Sequence, residues 1–446
     1  MRLSIALHIA ILLAPFARAD QSAVPDLTAL SLAALSEDKT ESQNAIASLR
    51  AAGPKGLQTL IETYEAAITR HKNKPTKSEP MWDRLSAALD QVAAQKDAWA
   101  AGLYWYTDLE QAERVAKETG HPILSLRLLG TLDTELSCVN SRFFRTALYP
   151  DAGVGKFLRE NFILHWQSHR PVPKLTIDFG DGRTIERTIT GNSVHYVLTP
   201  EGRVVDVLPG LYGPAAFLRA IVDAHGLAAV YNRPGFAQIL ADYHNSHLIG
   251  IRSNWSADLR TIGLQAPVLA QSENTGRQVG PGAPTAMAGT RVAVAKSAAE
   301  TRSVFALVPD RTALASSTEE ATWSKIAALH SADGKLDTGS RAVILSKTGD
   351  AVAANNLTIS KKKLEDPVTR LVRNFERSVA EDTVRNEYLF HSQIHEWFTT
   401  NRIPTNLDLL NEKVYAQLFL MPKTDPYLGL VPADTYTALP ADRASK

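Results

Sequence analysis

The chain carries a single cysteine among its 446 residues, Cys138, in the run Cys138-Val139-Asn140-Ser141. A thiol at the first turn of a helix is drawn toward the thiolate by the free backbone N–H groups and the macrodipole there, and a thiolate attacks disulfides. The position three residues on would resolve the mixed disulfide, and it is Ser141. Cys138 and Ser141 are therefore the catalytic candidates, fit for forming a mixed disulfide but not for releasing it internally. The competing reading is inert packing, because Phe143, Phe144 and Leu148 continue an apolar stripe and free cysteine is among the most buried residue types.

Two further groups offer chemistry. Arg127, His165 and His195 each interrupt an apolar run, and a polar group inside such a run is costly unless partnered; the three are the candidate substrate-binding residues, the competing and favoured reading being structural, hydrogen-bonded positions on covered faces or outward ones at the sheet end. Glu387, His391 and His395 recur every four residues. An i, i+4 histidine pair can hold a metal, but the run His391-Ser392-Gln393-Ile394-His395-Glu396 lacks the glutamate that a zincin carries beside its first histidine, and it fails the Glu-x-x-His spacing of di-iron bundles. The series reads as a polar stripe facing water or a neighbouring domain, and neither metal nor cofactor is expected. Asp178 and Asp181, around Gly180 and Gly182, lack the further carboxylates of a calcium loop and read as turn residues. No Gly-x-Ser-x-Gly elbow, P-loop or dinucleotide fingerprint is present, which removes most support for hydrolase and nucleotide chemistry.

The elements that must position these residues follow from periodicity. Residues 20–100 carry apolar positions at three- and four-residue spacing, a helical region punctuated by Gly53-Pro54. A helix capped near Thr107-Asp108 runs to Thr119 and stops at Gly120. Ile123–Leu129 reads as a buried strand, a loop and helix carry Cys138, and 162–166 is a second strand. A hairpin is expected from 175–179 and 184–188, and another from 194–198 and 204–208; Pro214 then opens an amphipathic helix. Residues 265–300, poor in large apolar side chains, read as a linker or mobile loop. Beyond it, 304–308 and 342–345 suggest short strands, 364–398 a long helix with a possible break, and 407–420 a last helical piece.

Composition bounds the rest. Lys+Arg total 48 against Asp+Glu 47, so no net field gathers nucleic acid or an anionic membrane surface. Arg2, the apolar stretch 3–13 and Ala17-Arg18-Ala19 form the n-region, h-region and cleavage site of a signal peptide over 1–19, which predicts a mature chain starting at Asp20 in the periplasm or outside the cell, with no transmembrane segment after cleavage. One cysteine allows no intramolecular disulfide, so packing must supply the stability.

The order helix, strand, helix, strand, strand pair, helix over about 104–226 resembles the thioredoxin-like superfamily. His121-Pro122-Ile123-Leu124 and Leu158-Arg159-Glu160-Asn161-Phe162 stand where its divergent members carry similar runs, and Cys138 to Ser141 gives CxxS in place of CxxC. The chain departs from that pattern in the long approach Gly130 to Ser137 and in Gly191-Asn192-Ser193-Val194, where the family carries a proline beside the thiol. The fold expected is α/β: a thioredoxin-like domain at 101–230, flanked by the helical region 20–100 and, after a helix and linker at 231–300, an α-rich C-terminal domain at 301–446. Two functions remain open. One is a redox-inactive or weakly redox-active binding or scaffold module with a protein partner; the other is monothiol exchange through Cys138. Burial beside Phe143 and Phe144, with Asp133 and Glu135 nearby in sequence, predicts a raised thiol pKa.

Overall fold

The computed structural model describes residues 26–73, 79–188, 190–264, 320–354, 367–426 and 428. The expected signal peptide, the 265–300 segment and the 304–308 strand lie outside them. The described chain is mixed α/β, with two small sheets embedded among helices.

The N-terminal layer is α1 (Leu27–Ala33), α2 (Lys39–Ala51), α3 (Pro54–Thr63), α4 (Glu65–Asn73) and α5 (Pro80–Ala93). Asp26 and Asp38 cap the first two by accepting from the N–H groups of the opening turn, at 2.8–3.2 Å. Leu49, Leu57, Leu60, Leu85 and Leu89 close their own core. Gly56 permits the close crossing of α3 over α2, where a Cβ would stand 2.0 Å from the Leu49 carbonyl oxygen. The Arg50 guanidinium donates to the carbonyls of Val92 (2.9 Å) and Trp105 (2.6 Å), tying this layer to the segment that approaches the sheet.

After α6 (Ala98–Ala101) and α7 (Leu109–Thr119), the latter capped by Asp108, the main sheet begins. It takes β1 (Ile123–Leu129), β2 (Ile163–Arg170), β5 (Ser193–Leu198) and β6 (Val204–Pro209) in the order β2-β1-β5-β6. β1 and β2 are parallel, joined through α8 (Val139–Phe143), a π-helical turn (Phe144–Leu148) and α9 (Ala152–Asn161); the β1–β5 and β5–β6 pairs are antiparallel. A parallel pair needs such a crossover, and strands covered on both faces tolerate the unbroken apolar runs seen in β1 and β5. The hairpin β3 (Lys174–Asp178) and β4 (Thr184–Thr188) forms a separate two-stranded sheet.

α10 (Pro214–Ala228) and α11 (Phe236–Thr261) follow, then α12 (Glu320–Leu329), α13 (Thr338–Ala354), α14 (Pro367–Arg385), a π-helical turn (Asn386–His391), α15 (Ser392–Thr399) and α16 (Leu407–Gln417). The strand expected at 342–345 is the interior of α13. Four apolar residues cannot distinguish a period of 2 from one of 3.6, and Asp337 starts a helix here by accepting from Ser340 N–H at 2.8 Å. The C-terminal helices share one core with the sheet: Val384, Ile394, Leu410 and Val414 pack in the same cluster as Leu126, Val194 and Val207.

Candidate functional site

Cys138 caps α8, its Sγ accepting from Ser141 N–H at 3.4 Å, while the Ser141 hydroxyl donates to the Cys138 carbonyl at 2.9 Å. Both side chains are wholly buried. Gly191, ahead of β5, lies against this turn so closely that a Cβ would sit 3.0 Å from Val139 and Asn140. Above it the Tyr415 hydroxyl donates to the Asn192 carbonyl (3.0 Å), and Met421 lies within 3.4 Å of the Asn192 amide. Burial pushes the thiol pKa up, against the Ser141 N–H, which pulls it down. Glu135, expected from sequence to oppose the thiolate, instead turns to Lys347 and Arg145.

The three polar strand residues do not converge. In the register Ser125↔His165 and Arg127↔Gln167, so Arg127 and His165 share a sheet face, whereas His195 is paired with Leu126 and lies on the opposite one. Arg127 is bonded to Gln167 and paired with Asp408 at 3.1 Å under α16. His165 shares a hydrogen bond with the Ser125 hydroxyl (2.8 Å), and His195 Nε2 with the Tyr149 hydroxyl (2.9 Å). Burial lowers both imidazoles to about 3, keeping them neutral. Each of the three holds one side-chain hydrogen bond, and they are split between two faces of the sheet.

The densest chemistry lies at the free edge of β6. Asp206 is fully buried, its Oδ1 accepting from Val207 N–H (2.8 Å) and its Oδ2 from the Tyr243 hydroxyl of α11 (2.7 Å). His391, at the end of the second π turn, places Nε2 3.4 Å from Asp206 Oδ1 and donates Nδ1–H to Glu387 at 2.8 Å. π turns inserted in helices recur at functional sites because they re-aim side chains. His395, one turn on, bonds through Nδ1 to Nδ1 of His244 at 2.7 Å, and His244 Nε2 reaches the Val205 carbonyl at 3.1 Å. A carbonyl only accepts, so His244 carries its proton on Nε2, its Nδ1 accepts from His395, and His395 is left with an Nε2 lone pair. That atom is buried without a partner.

Electrostatics separates these groups. Burial would depress His391, but Glu387 and then Asp206 overcome it and raise its pKa to about 10. Burial would raise Asp206, yet the His391 pair holds it far below the usual carboxylate range. Burial lowers His244 to about 4 and drives His395 well below the ordinary value. The cluster borders a cleft of about 430 Å³ between α10, α11 and the π turn, lined by Tyr243, His247, Glu387 and His391 among others.

Of the two settings expected for the Glu387, His391 and His395 series, water or a neighbouring part of the fold, His391 and His395 take the second, turned onto β6 and α11, while Glu387 lines the cleft. Sequence reading missed Asp206, Tyr243, His244 and His247. A carboxylate in the otherwise apolar Val204–Leu208 run was the available signal, and Tyr243-His244 with His247 one turn on was another. No family model, curated protein or solved structure matches the chain.

Proposed function

We propose that the chain is an exported thioredoxin-like module that acts by binding a protein partner and not through thiol chemistry. Its thioredoxin-like character is supported by the order β2-β1-β5-β6, by the cysteine capping the helix that leaves β1, and by the loop before β5 lying against that cap. Export is supported by the signal-peptide pattern of 1–19; among the described residues no helix is long and apolar enough to cross a membrane.

The observation that carries the reading is the complete burial of Cys138. A redox thiol needs an exposed thiolate in an electropositive setting, and this sulfur is sealed under residues of the sheet, the π turn and the C-terminal segment. A surface for binding stands beside it: the β3–β4 hairpin projects Ile177 (42% exposed), Ile185 (39%) and Phe179 (52%), with Ile177 and Ile185 directly paired across the strands. A two-stranded sheet with open edges and an exposed apolar pair is suited to accepting an extended segment of another protein.

The test is a photo-crosslinking side chain in place of Phe179 in the exported protein. A discrete heavier adduct that disappears in the Ile177→Asn/Ile185→Asn double variant, with the circular dichroism of the fold unchanged, is the expected result. No adduct, or one indifferent to those substitutions, contradicts binding through the hairpin.

A further inference from the structure

We propose that Asp206, His391 and His395 form a binding site for a divalent transition-metal ion of the zinc class, buried beside the cleft between α10, α11 and the Asn386–His391 turn, which His391 lines. One donor atom from each of the three lies within 4.8 Å of the others, and all three residues are buried. The Asp206 Oδ1 to His391 Nε2 separation of 3.4 Å is close to the edge of a tetrahedral zinc site, about 3.4 Å for ligand bonds of about 2.0–2.1 Å.

The hydrogen-bond network favours a cation. With Nδ1–H committed to Glu387, His391 Nε2 meets the Asp206 carboxylate as one electron-pair donor facing another, so a positive centre must sit between them. A proton serves that pair alone. It leaves His395 Nε2, whose lone pair is fixed by the chain through His244 to the Val205 carbonyl, buried and unused. A metal ion takes all three.

The surroundings match what metal ligands require. Glu387 holding the remote nitrogen of His391 is the carboxylate–histidine arrangement that orients a ligating imidazole, His244 does the same for His395, and the Tyr243 hydroxyl holds the second oxygen of Asp206. His391 lines the cleft of about 430 Å³, which supplies an entry path. His247, whose ring centre is 5.2 Å from that of His395, lines the same cleft and is the next nitrogen donor at hand.

The experiment titrates chelator-treated, full-length mature protein with zinc sulfate against a competing chromophoric chelator, and with cobalt(II) while recording the visible spectrum. The expected result is uptake of one equivalent, with the intense visible bands of low-coordinate, histidine-bound cobalt. His395→Gln, which keeps a hydrogen-bonding group toward His244, should weaken zinc binding at least about 100-fold, and Glu387→Gln by about 10–100-fold. No uptake by the parent protein, or uptake with the weak spectrum of hexa-aquo-like cobalt, overturns the site whatever the variants do. Equal binding in the parent and in a folded His395→Gln protein overturns it as well.

Discussion

At the scale of single residues, burial converts histidines into acid-sensitive groups. His165 and His195 sit neutral in the core at about 3, so each contributes stability fully above the unfolded value of about 6.5 and loses it as pH falls toward 3. The cost is on the order of 1 kcal/mol per histidine for each pH unit below 6.5. Thermal midpoints measured from pH 7 to pH 4 should fall steeply, and His195→Phe should flatten the curve; an unchanged slope in that variant contradicts the assignment. Arg145 makes a second case. Fully buried in the first π turn, it pairs with Asp97 at 3.0 Å and donates to the Glu135 carbonyl at 2.9 Å. Arg145→Ala leaves Asp97 buried with only Lys347, 2.9 Å away, as a partner, and should cost about 3 kcal/mol in urea unfolding. A loss below about 1 kcal/mol would mean that Lys347 and solvent replace the pair. Sequence made His165 and His195 visible because each is a polar type inside an apolar run, and Cys138 because it is the single cysteine, in a Cys-x-x-Ser run. It could not assign them to faces, because one residue of register decides which side of a sheet a side chain takes. Asp206 was as anomalous as they were, but its side-chain partners lie 37 and 185 residues away, at Tyr243 and His391.

At the scale of elements, the strands were legible where turn signals bounded them. Ile123–Leu129 follows Pro122 and ends at Gly130, and the 199–203 turn separates β5 from β6, so both boundaries survive folding nearly unchanged. The 342–345 run is flanked by Gly339-Ser340 and Thr348-Gly349 much as a strand would be, yet it lies inside α13, where Val343 packs against the N-terminal helices. How the C-terminal elements dock was not legible at all, since it rests on backbone approach. At Gly213, the cap of α10, a Cβ would stand 1.9 Å from the Asp333 carbonyl oxygen, and the Gly213 N–H donates to the Thr383 hydroxyl at 2.8 Å. Gly213→Ala should therefore force apart α10, the 331–334 turn and α14, costing about 3 kcal/mol and lowering the thermal midpoint. A midpoint equal to the parent's would show that these elements are less tightly joined than the geometry implies.

At the scale of the whole molecule, the sheet is enclosed on one face by the π turn and α10 and on the other by α16, whose Asn411 accepts from the Tyr196 hydroxyl at 3.1 Å. Residues 265–300 offer few apolar anchors by composition, so limited proteolysis should cut there first. A primary cut between 104 and 226 instead would contradict the packing of the sheet core. That enclosure is also why the thiol is out of reach, and the thiol is where the binding reading stands or falls. The most direct measurement is the rate at which a small alkylating reagent labels Cys138 in native protein across pH 5 to 9. Burial predicts negligible native labelling over the whole range and stoichiometric labelling once the protein is denatured. Fast native labelling with an inflection near or below neutrality would contradict the account and make Cys138 a working nucleophile.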